Sequence, residues 1–339
     1  MEWCREVQTR AERTASAQST FISIQESYRI LSDMPFNPTK DIPDLSGKVI
    51  IVTGGSSGLG KESVHQLDKH NPEKIYLAAR TSQRGNAAIN DIEKATPSAK
   101  GKFHYLEIDM ASFASVKKAA DRILAENNRL DILMNNAGAT GGAPGLTTEG
   151  YEDQFGSNYM GPTLFTKLLS PLLRKTAEEP NSDVRIINLS SELFKQGPKD
   201  GILFAKLKSP MADQGSIPRY GQSKLANYYF SKVAAEKYPT IKSVALHPGV
   251  VNTGIWDEFK KRRPYLGMVF GALSGLFLTD VHEGAKRQLW AATAKKQDVK
   301  TGAFYTPKGT EYPQAILKND KLAHELWDWT EKEFAKHGF

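Results

Sequence analysis

Tyr220 and Lys224, in the stretch RYGQSKLANYYF (219–230), stand four positions apart where the sequence reads as the start of a helix. On a helix, residues i and i+4 share a face, with Cβ atoms roughly 5–6 Å apart. A phenol titrates near ~10 and is a poor acid or base at neutral pH. An ammonium held beside it favours the phenolate and draws the pKa toward the working range. Such a pair suits proton exchange with an oxygen on a bound substrate. The same spacing also describes an exposed turn with a snorkelling lysine, so the elements around it decide between the two.

Those elements alternate. Strand-like apolar runs are expected at 48–54 (KVIIVTG), 74–80, 102–109, 130–138, 184–191 and 243–249, with a short last strand at 302–307. Helices are expected from Gly58 to about His70, up to about Ala95, from Ser112 as N-cap to about Asn127, near 148–177, and through Tyr220. Continuous apolar strands between helices imply a parallel sheet buried on both faces. Right-handed crossovers then make it a doubly wound open α/β sheet. Residues 1 to about 45 show no clear period, and Pro35, Pro38 and Pro43 suggest an extended lead-in.

The first strand runs into TGGSSGLG (53–60), placing Gly54, Gly58 and Gly60 in a G-x-x-x-G-x-G spacing before a helix. A tight glycine turn lets backbone N–H groups and a helix N-terminus approach a pyrophosphate. The second strand ends in Arg80, where many dinucleotide sites carry an acid for the ribose 2′-hydroxyl. A guanidinium there suits a 2′-phosphate instead, which favours NADP(H) over NAD(H).

With these motifs in order, residues 46 to about 310 resemble the short-chain dehydrogenase/reductase superfamily. The turn TGGSSGLG matches the family's T-G-x-x-x-G-x-G. The resemblance places Asp109 of IDMAS at the adenine contact, and NNAG (135–138) after the fourth strand, against the cofactor. Asn158 falls in the long helix at the catalytic asparagine. INLSS brings Ser191 to the catalytic serine, YGQSK supplies Tyr220 and Lys224, and HPGVVNTG puts Val251 and Thr253 at the nicotinamide carboxamide. It implies a Rossmann fold of about seven parallel strands, order 3-2-1-4-5-6-7, with helices on both faces. Cofactor contacts are implied at Gly54, Ser56, Ser57, Gly58, Leu59, Gly60, Arg80, Asp109, Asn136, Ala137, Gly138, Tyr220, Lys224, Val251 and Thr253. LAARTSQRGNAAINDIE is similar to the retinol-dehydrogenase-like and fungal secondary-metabolism reductase branches.

The chemistry so implied is hydride transfer between nicotinamide and a carbonyl or secondary alcohol. Tyr220 would act as general acid toward the carbonyl oxygen, or as base in the reverse direction. Lys224 would lower the phenol's pKa and hold the nicotinamide ribose. Ser191 would hydrogen-bond the substrate oxygen, and Asn158 would support a water relaying protons to Lys224. Ser190 competes with Ser191, and since successive strand residues point to opposite faces only one can serve. His247 in the HPG turn reads as packing, and Glu192 and Asp213 as solvated charges. A catalytically silent dinucleotide-binding protein on this fold is an alternative, as are a retinol- or lipid-type alcohol dehydrogenase and a dehydratase or epimerase.

Ser191 and Tyr220 are 29 positions apart, a longer interval than in the family's shorter members. The extra segment, 192–218, is expected as a loop over the substrate side. The remaining division is an N-terminal extension 1–45, one domain 46–315 and a C-terminal helix 316–339. The net charge is +7, of which Lys260, Lys261, Arg262 and Arg263 form one run, so a broad nucleic-acid surface is not expected. Cys4 is the one cysteine, which excludes an internal disulfide and a cysteine metal cluster. The first residues lack the apolar core of about 7–15 residues that a secretory signal needs, and a cytoplasmic location is expected. The longest apolar run, YLGMVFGALSGLFL (265–278), is 14 residues long, short of the ~20 that span a bilayer. It reads as a lid over a hydrophobic substrate within 254–280, as a core helix, or as a peripheral membrane contact. The chain is expected as a monomer or homodimer.

Overall fold

The computed structural model describes residues 35–96, 101–249, 251, 280–306, 309, 311–312 and 315–339. Seven parallel strands form one sheet in the order β3-β2-β1-β4-β5-β6-β7. They are β1 Val49–Thr53, β2 Lys74–Ala79, β3 Phe103–Glu107, β4 Ile132–Asn135, β5 Arg185–Leu189, β6 Lys242–Leu246 and β7 Phe304–Tyr305. Between them run α1 Gly58–Asp68, α2 Ser82–Ala95, α3 Phe113–Glu126, α4, α5 Ser216–Lys237 and α6 Val281–Thr293, with α7 Asp320–Lys336 last. Helix α4 is composite: Asp153–Phe155, a π-helical turn Gly156–Met160, then Gly161–Ala177.

β1 is buried along its whole length, and its side chains alternate between two cores. Val49 and Ile51 join the core formed with α3, α4, α5 and α7, whereas Ile50 and Val52 join the core formed with α1, α2 and α6. This is the period of two expected for a strand covered on both faces. Strand order reverses between β1 and β4, so the crevice outside their carboxyl ends is the place where an open α/β sheet binds ligands.

Ser112 caps α3 as its sequence predicts, its Oγ accepting from the Ser115 N–H. Two segments differ from expectation, and a third carries more local order than its reading as a loop gave it. The lead-in contains a helical turn, Pro38–Asp41, capped by Asn37, and Phe36, Ile42 and Leu45 bury against the second core. Helix α4 starts at Asp153 rather than near 148, because Leu146 and Glu152 pair in a bridge that closes the preceding loop. The segment 192–218 is ordered by turns at Glu192–Gln196 and Phe204–Lys206, and Phe194, Ile202 and Leu207 are buried. Thr253 and the runs 260–263 and 265–278 lie outside the described residues. No helix among the described residues is long and apolar enough to cross a membrane.

Helix α7 is tied to this framework by aromatic contacts and one carboxylate. Trp327 stacks on Phe230 of α5 with ring centroids 5.7 Å apart. Glu333, buried, accepts from the Tyr151 hydroxyl at 2.9 Å, from Lys208 at 2.7 Å and from Lys336 at 2.5 Å. Burial pushes its carboxyl upward, but these three donors outweigh that and hold it at about 2, below the ordinary 4.5. A depressed folded-state pKa means stability present above 4.5 and lost as pH falls toward 2. Because both lysines reach solvent, the expected contribution is about 1–2 kcal/mol. Glu333→Gln should therefore lower Tm by a few degrees at neutral pH, with the gap to wild type closing below about pH 4. A gap that persisted unchanged at pH ~2–3 would count against the ionised carboxylate as its cause.

Candidate active site

The glycine turn follows directly from β1. Gly54 has φ +65°, in the left-handed region. A methyl on Gly60 would sit 2.3 Å from the Gly54 carbonyl oxygen, so helix and turn meet at a distance only glycine permits. Ser57, the N-cap of α1, makes no side-chain capping bond, which leaves the helix N-terminus to an outside anion. Asn136 donates to the Thr53 carbonyl at 2.8 Å, and Ala137 N–H donates to Thr53 Oγ1 at 3.0 Å. NNAG thus stitches the end of β4 to the glycine turn through Thr53, the first residue of the T-G-x-x-x-G-x-G motif, by its carbonyl and its side chain. Asp109 accepts from Ala111 N–H at 3.0 Å, which orders the turn after β3. Arg80 is exposed just beyond β2, on the same edge of the sheet.

Asn158 sits in the π turn of α4 and is fully buried. Its Oδ1 accepts from Ala139 N–H at 2.7 Å, and its Nδ2 donates to the Ala139 carbonyl at 2.9 Å and to Ser223 Oγ at 3.0 Å. Ser223 Oγ in turn donates to the Tyr220 carbonyl at 2.8 Å. Both amide hydrogens of Asn158 are therefore engaged in joining the loop after β4 to the helix that carries Tyr220. A methyl built on Gly138 would lie 3.1 Å from Lys224 Nζ and 3.6 Å from Asn158 Oδ1, so those two polar groups flank one spot.

The two serines separate as strand geometry demands. Ser190 Oγ donates to the Lys224 carbonyl at 2.6 Å, facing back into α5. Ser191 caps the Glu192–Gln196 turn, accepting from Leu193 N–H at 3.2 Å, and its hydroxyl lies near enough to the Tyr220 phenol to act on its pKa. The structure thus brings Ser191, Tyr220, Lys224 and Asn158 to one place. Lys224 Nζ donates to the Leu189 carbonyl at 2.9 Å, where Asn227 also donates at 3.0 Å, and lies 5.5 Å from the centre of the Tyr220 ring. Val251 is buried against α6, where Gly284 meets its methyls.

The electrostatics correct one expectation. Burial pushes the Tyr220 phenol up to about 12, with the Ser191 hydroxyl opposing the rise. Burial likewise draws the Lys224 ammonium down to about 8. In the chain alone desolvation dominates, so the phenol is raised rather than lowered and holds its proton at neutral pH. His247 is buried at the end of β6, and burial, helped by Arg287 and Lys195, drives its imidazole down to about 3. The ring is neutral at physiological pH, and the His247 backbone N–H fixes β7 by donating to the Tyr305 carbonyl at 3.0 Å. Glu192 pairs with Lys195, and Asp213 with Lys206, at the surface.

Two polar groups of this region escape the motif reading. Ser223, between Tyr220 and Lys224, could have been found inside YGQSK itself. The chain from Asn135 to Asn188 (2.9 Å) and on to Ser231 (2.8 Å) runs through the buried sheet and has no local signal, because its members are far apart in sequence.

Comparison with known proteins agrees with this geometry. The family model described as short chain dehydrogenase matches residues 48–264. An uncharacterized oxidoreductase of Schizosaccharomyces pombe is 37% identical over 302 residues, covering 87% of this chain and 87% of that protein. A short-chain dehydrogenase/reductase of Phomopsis amygdali is 34% identical over 334 residues, covering 93% and 98%. Among solved structures, NADPH-bound carbonyl reductase from chicken fatty liver superposes with a TM-score of 0.59 at 24% identity, over 80% of this chain and 100% of that one. L-sorbose reductase from Gluconobacter frateurii, complexed with NADPH and L-sorbose, gives 0.62 at 21% identity, over 81% and 99%. Sheet order, glycine turn and family match converge on one conclusion: this chain belongs to the short-chain dehydrogenase family.

Proposed function

We propose that this protein is an NADP(H)-dependent oxidoreductase that interconverts a carbonyl and a secondary alcohol on a hydrophobic small molecule. The observation that carries this reading is the buried Lys224, its Nζ 5.5 Å from the centre of the Tyr220 ring, with the Ser191 hydroxyl beside the phenol. The residues present fit the cofactor: the Gly60–Gly54 approach makes a cradle that a Cβ would fill. The turn Gly54, Ser56, Ser57, Gly58, Leu59 and Gly60 would hold its pyrophosphate, Arg80 its 2′-phosphate and Asp109 its adenine. Asn136, Ala137 and Gly138 would wall it. Val251 would meet the carboxamide, as would Thr253, outside the described residues. When bound, NADP(H) supplies or accepts the hydride. The NADPH-bound relatives named above support the cofactor assignment.

The chain's own part is proton transfer and orientation. Tyr220 Oη, protonated at neutral pH, gives its proton to the carbonyl oxygen, or takes it back from the alcohol. Ser191 Oγ holds that oxygen in line with Tyr220. Lys224 steadies the negative charge left on the phenol, and Asn158 fixes the loop after β4 against the helix that carries both Tyr220 and Lys224. Leu193 and Ile217, two of the few large apolar side chains left exposed among the described residues, stand beside Ser191 and on the Tyr220 side of α5. Apolar surface flanking a polar reacting centre suits a hydrophobic substrate.

Loss of NADPH absorbance with a panel of menadione, phenanthrenequinone, a steroid ketone, retinal and L-sorbose tests this. Turnover of the apolar carbonyls with little of the sugar is expected. A clear preference for L-sorbose would refute the substrate class, and failure to bind NADPH would refute the whole reading.

A further inference from the structure

Arg219, the residue directly before Tyr220, is 1% exposed, one of the largest side chains the fold buries completely. Its Nη1 donates to Glu152 Oε1 at 2.8 Å, and its Nη2 donates to the Gly142 carbonyl at 3.2 Å. Glu152 is itself fully buried and divides its two oxygens. Oε1 takes Arg219, while Oε2 accepts from Phe155 N–H at 2.7 Å and so caps the helix that carries Asn158. The Glu152 N–H donates to the Leu207 carbonyl in the long loop after Ser191 at 2.9 Å. Beside this pair, Gln154 Nε2 donates to the Ser216 carbonyl at the start of α5, at 3.1 Å.

A buried ion pair seldom adds net stability over apolar residues of the same volume. What a guanidinium that divides its donors between a carboxylate and a carbonyl provides is direction and register. Here the register is that of α5, whose N-cap, Gly215, has no side chain and makes no capping bond. The first turn of α5, which delivers Tyr220, is therefore held from outside, by α4 and by the glycine-rich loop GATGGAPG (138–145). That loop begins at Gly138, against Lys224, and is gripped again by Asn158 at Ala139. One ion pair thus joins the three segments that supply Asn158, Tyr220 and the backbone beside Lys224.

We propose that Arg219 and Glu152 are a positioning pair, which sets the Tyr220 hydroxyl against Ser191 by locking the N-termini of α4 and α5 and the 138–145 loop to one another. This rests on the reading of Tyr220 as proton donor. Neither residue touches the reacting atoms.

The test is the double variant Arg219→Met/Glu152→Gln, which removes both charges together and leaves a side-chain acceptor for Phe155 N–H. It is expected to fold and to bind NADPH as wild type does. Its kcat for menadione should fall roughly tenfold with KM unchanged, as a sub-ångström misplacement of a proton donor requires. In the protein without cofactor, labelled at tyrosine ¹³Cζ, the Tyr220 resonance (identified by its loss in Tyr220→Phe) should shift or broaden. Arg219→Lys, which keeps the charge on Glu152 but cannot also reach Gly142, should restore part of both readouts. A wild-type kcat together with an unmoved Tyr220 resonance in the double variant overturns the proposal. Should the double variant not fold, the same two wild-type readouts in Arg219→Lys overturn it. Full turnover by Tyr220→Phe would instead overturn the functional reading of Tyr220, and the resonance alone then decides on the pair.

Discussion

Tyr220→Phe is expected to lower carbonyl reduction by about 10²–10⁴-fold while NADPH binding survives. The substitution removes one hydroxyl, the one beside Ser191, and keeps the ring where it packs. The pH profile should carry the same information. Burial holds the phenol near 12, so the proton to be donated is present across the physiological range. The ammonium beside it, drawn down to about 8, is the group that changes state. Below that pH Lys224 is charged and stabilises the phenolate that forms as the proton leaves. As pH rises through about 8 that charge is lost, so reduction should hold at neutral pH and decline on the alkaline side. Lys224→Met should be slow at all pH and lack this limb. Steady-state rates for wild type and both variants across pH 6–10 make the measurement (roughly one unit either side of the titration suffices). Near-full activity of Tyr220→Phe would remove it as the acid, and an alkaline limb that persisted in Lys224→Met would assign the limb to another group.

The strands and their two-faced burial were legible because each residue of β1 carries the evidence locally: Val49 and Ile51 face one core, Ile50 and Val52 the other. The Ser112 cap was legible for the same reason. The π turn at Gly156–Met160 was not, since one extra residue in a helical turn leaves no periodicity to read in five residues. Helix α6 escaped because its core-facing positions are small, with Ala285 and Ala292 either side of Leu289. At the site, motif order pointed to Ser191, Tyr220, Lys224 and Asn158, and strand alternation left Ser190 as a rival to Ser191. What chooses between them is a tertiary contact, the Ser190 bond to the Lys224 carbonyl. The pairing of Arg219 with Glu152 spans 67 positions and has no motif, so only the folded chain shows it. The pKa of Tyr220 was expected to fall because spacing shows the lysine, whereas burial, which spacing does not show, dominates in the protein.

Arg80→Asp should shift cofactor preference from NADP(H) toward NAD(H) by about 10–150-fold in the ratio of dissociation constants. A charge-assisted bond to a 2′-phosphate is worth about 1.5–3 kcal/mol, which is that range. Arg80 stands just past Ala79, at the carboxyl end of β2, and is exposed. Among the described residues no carboxylate and no hydrogen bond engages its guanidinium, so the substitution breaks no internal contact and Tm should hardly move. The carbonyl before it is already in use: Ala79 accepts from Ile108 N–H at 3.1 Å and from the Tyr105 hydroxyl at 3.2 Å. Those bonds keep the strand end in place whichever side chain follows. An aspartate there would repel a 2′-phosphate and accept from a ribose 2′-hydroxyl, so the two affinities should move in opposite directions. Fluorescence titration of NADPH and NADH against both proteins reads this directly. Equal affinities in wild type, or a ratio unmoved by Arg80→Asp at unchanged Tm, would leave the guanidinium as an ordinary surface charge and move the origin of cofactor preference to the glycine turn.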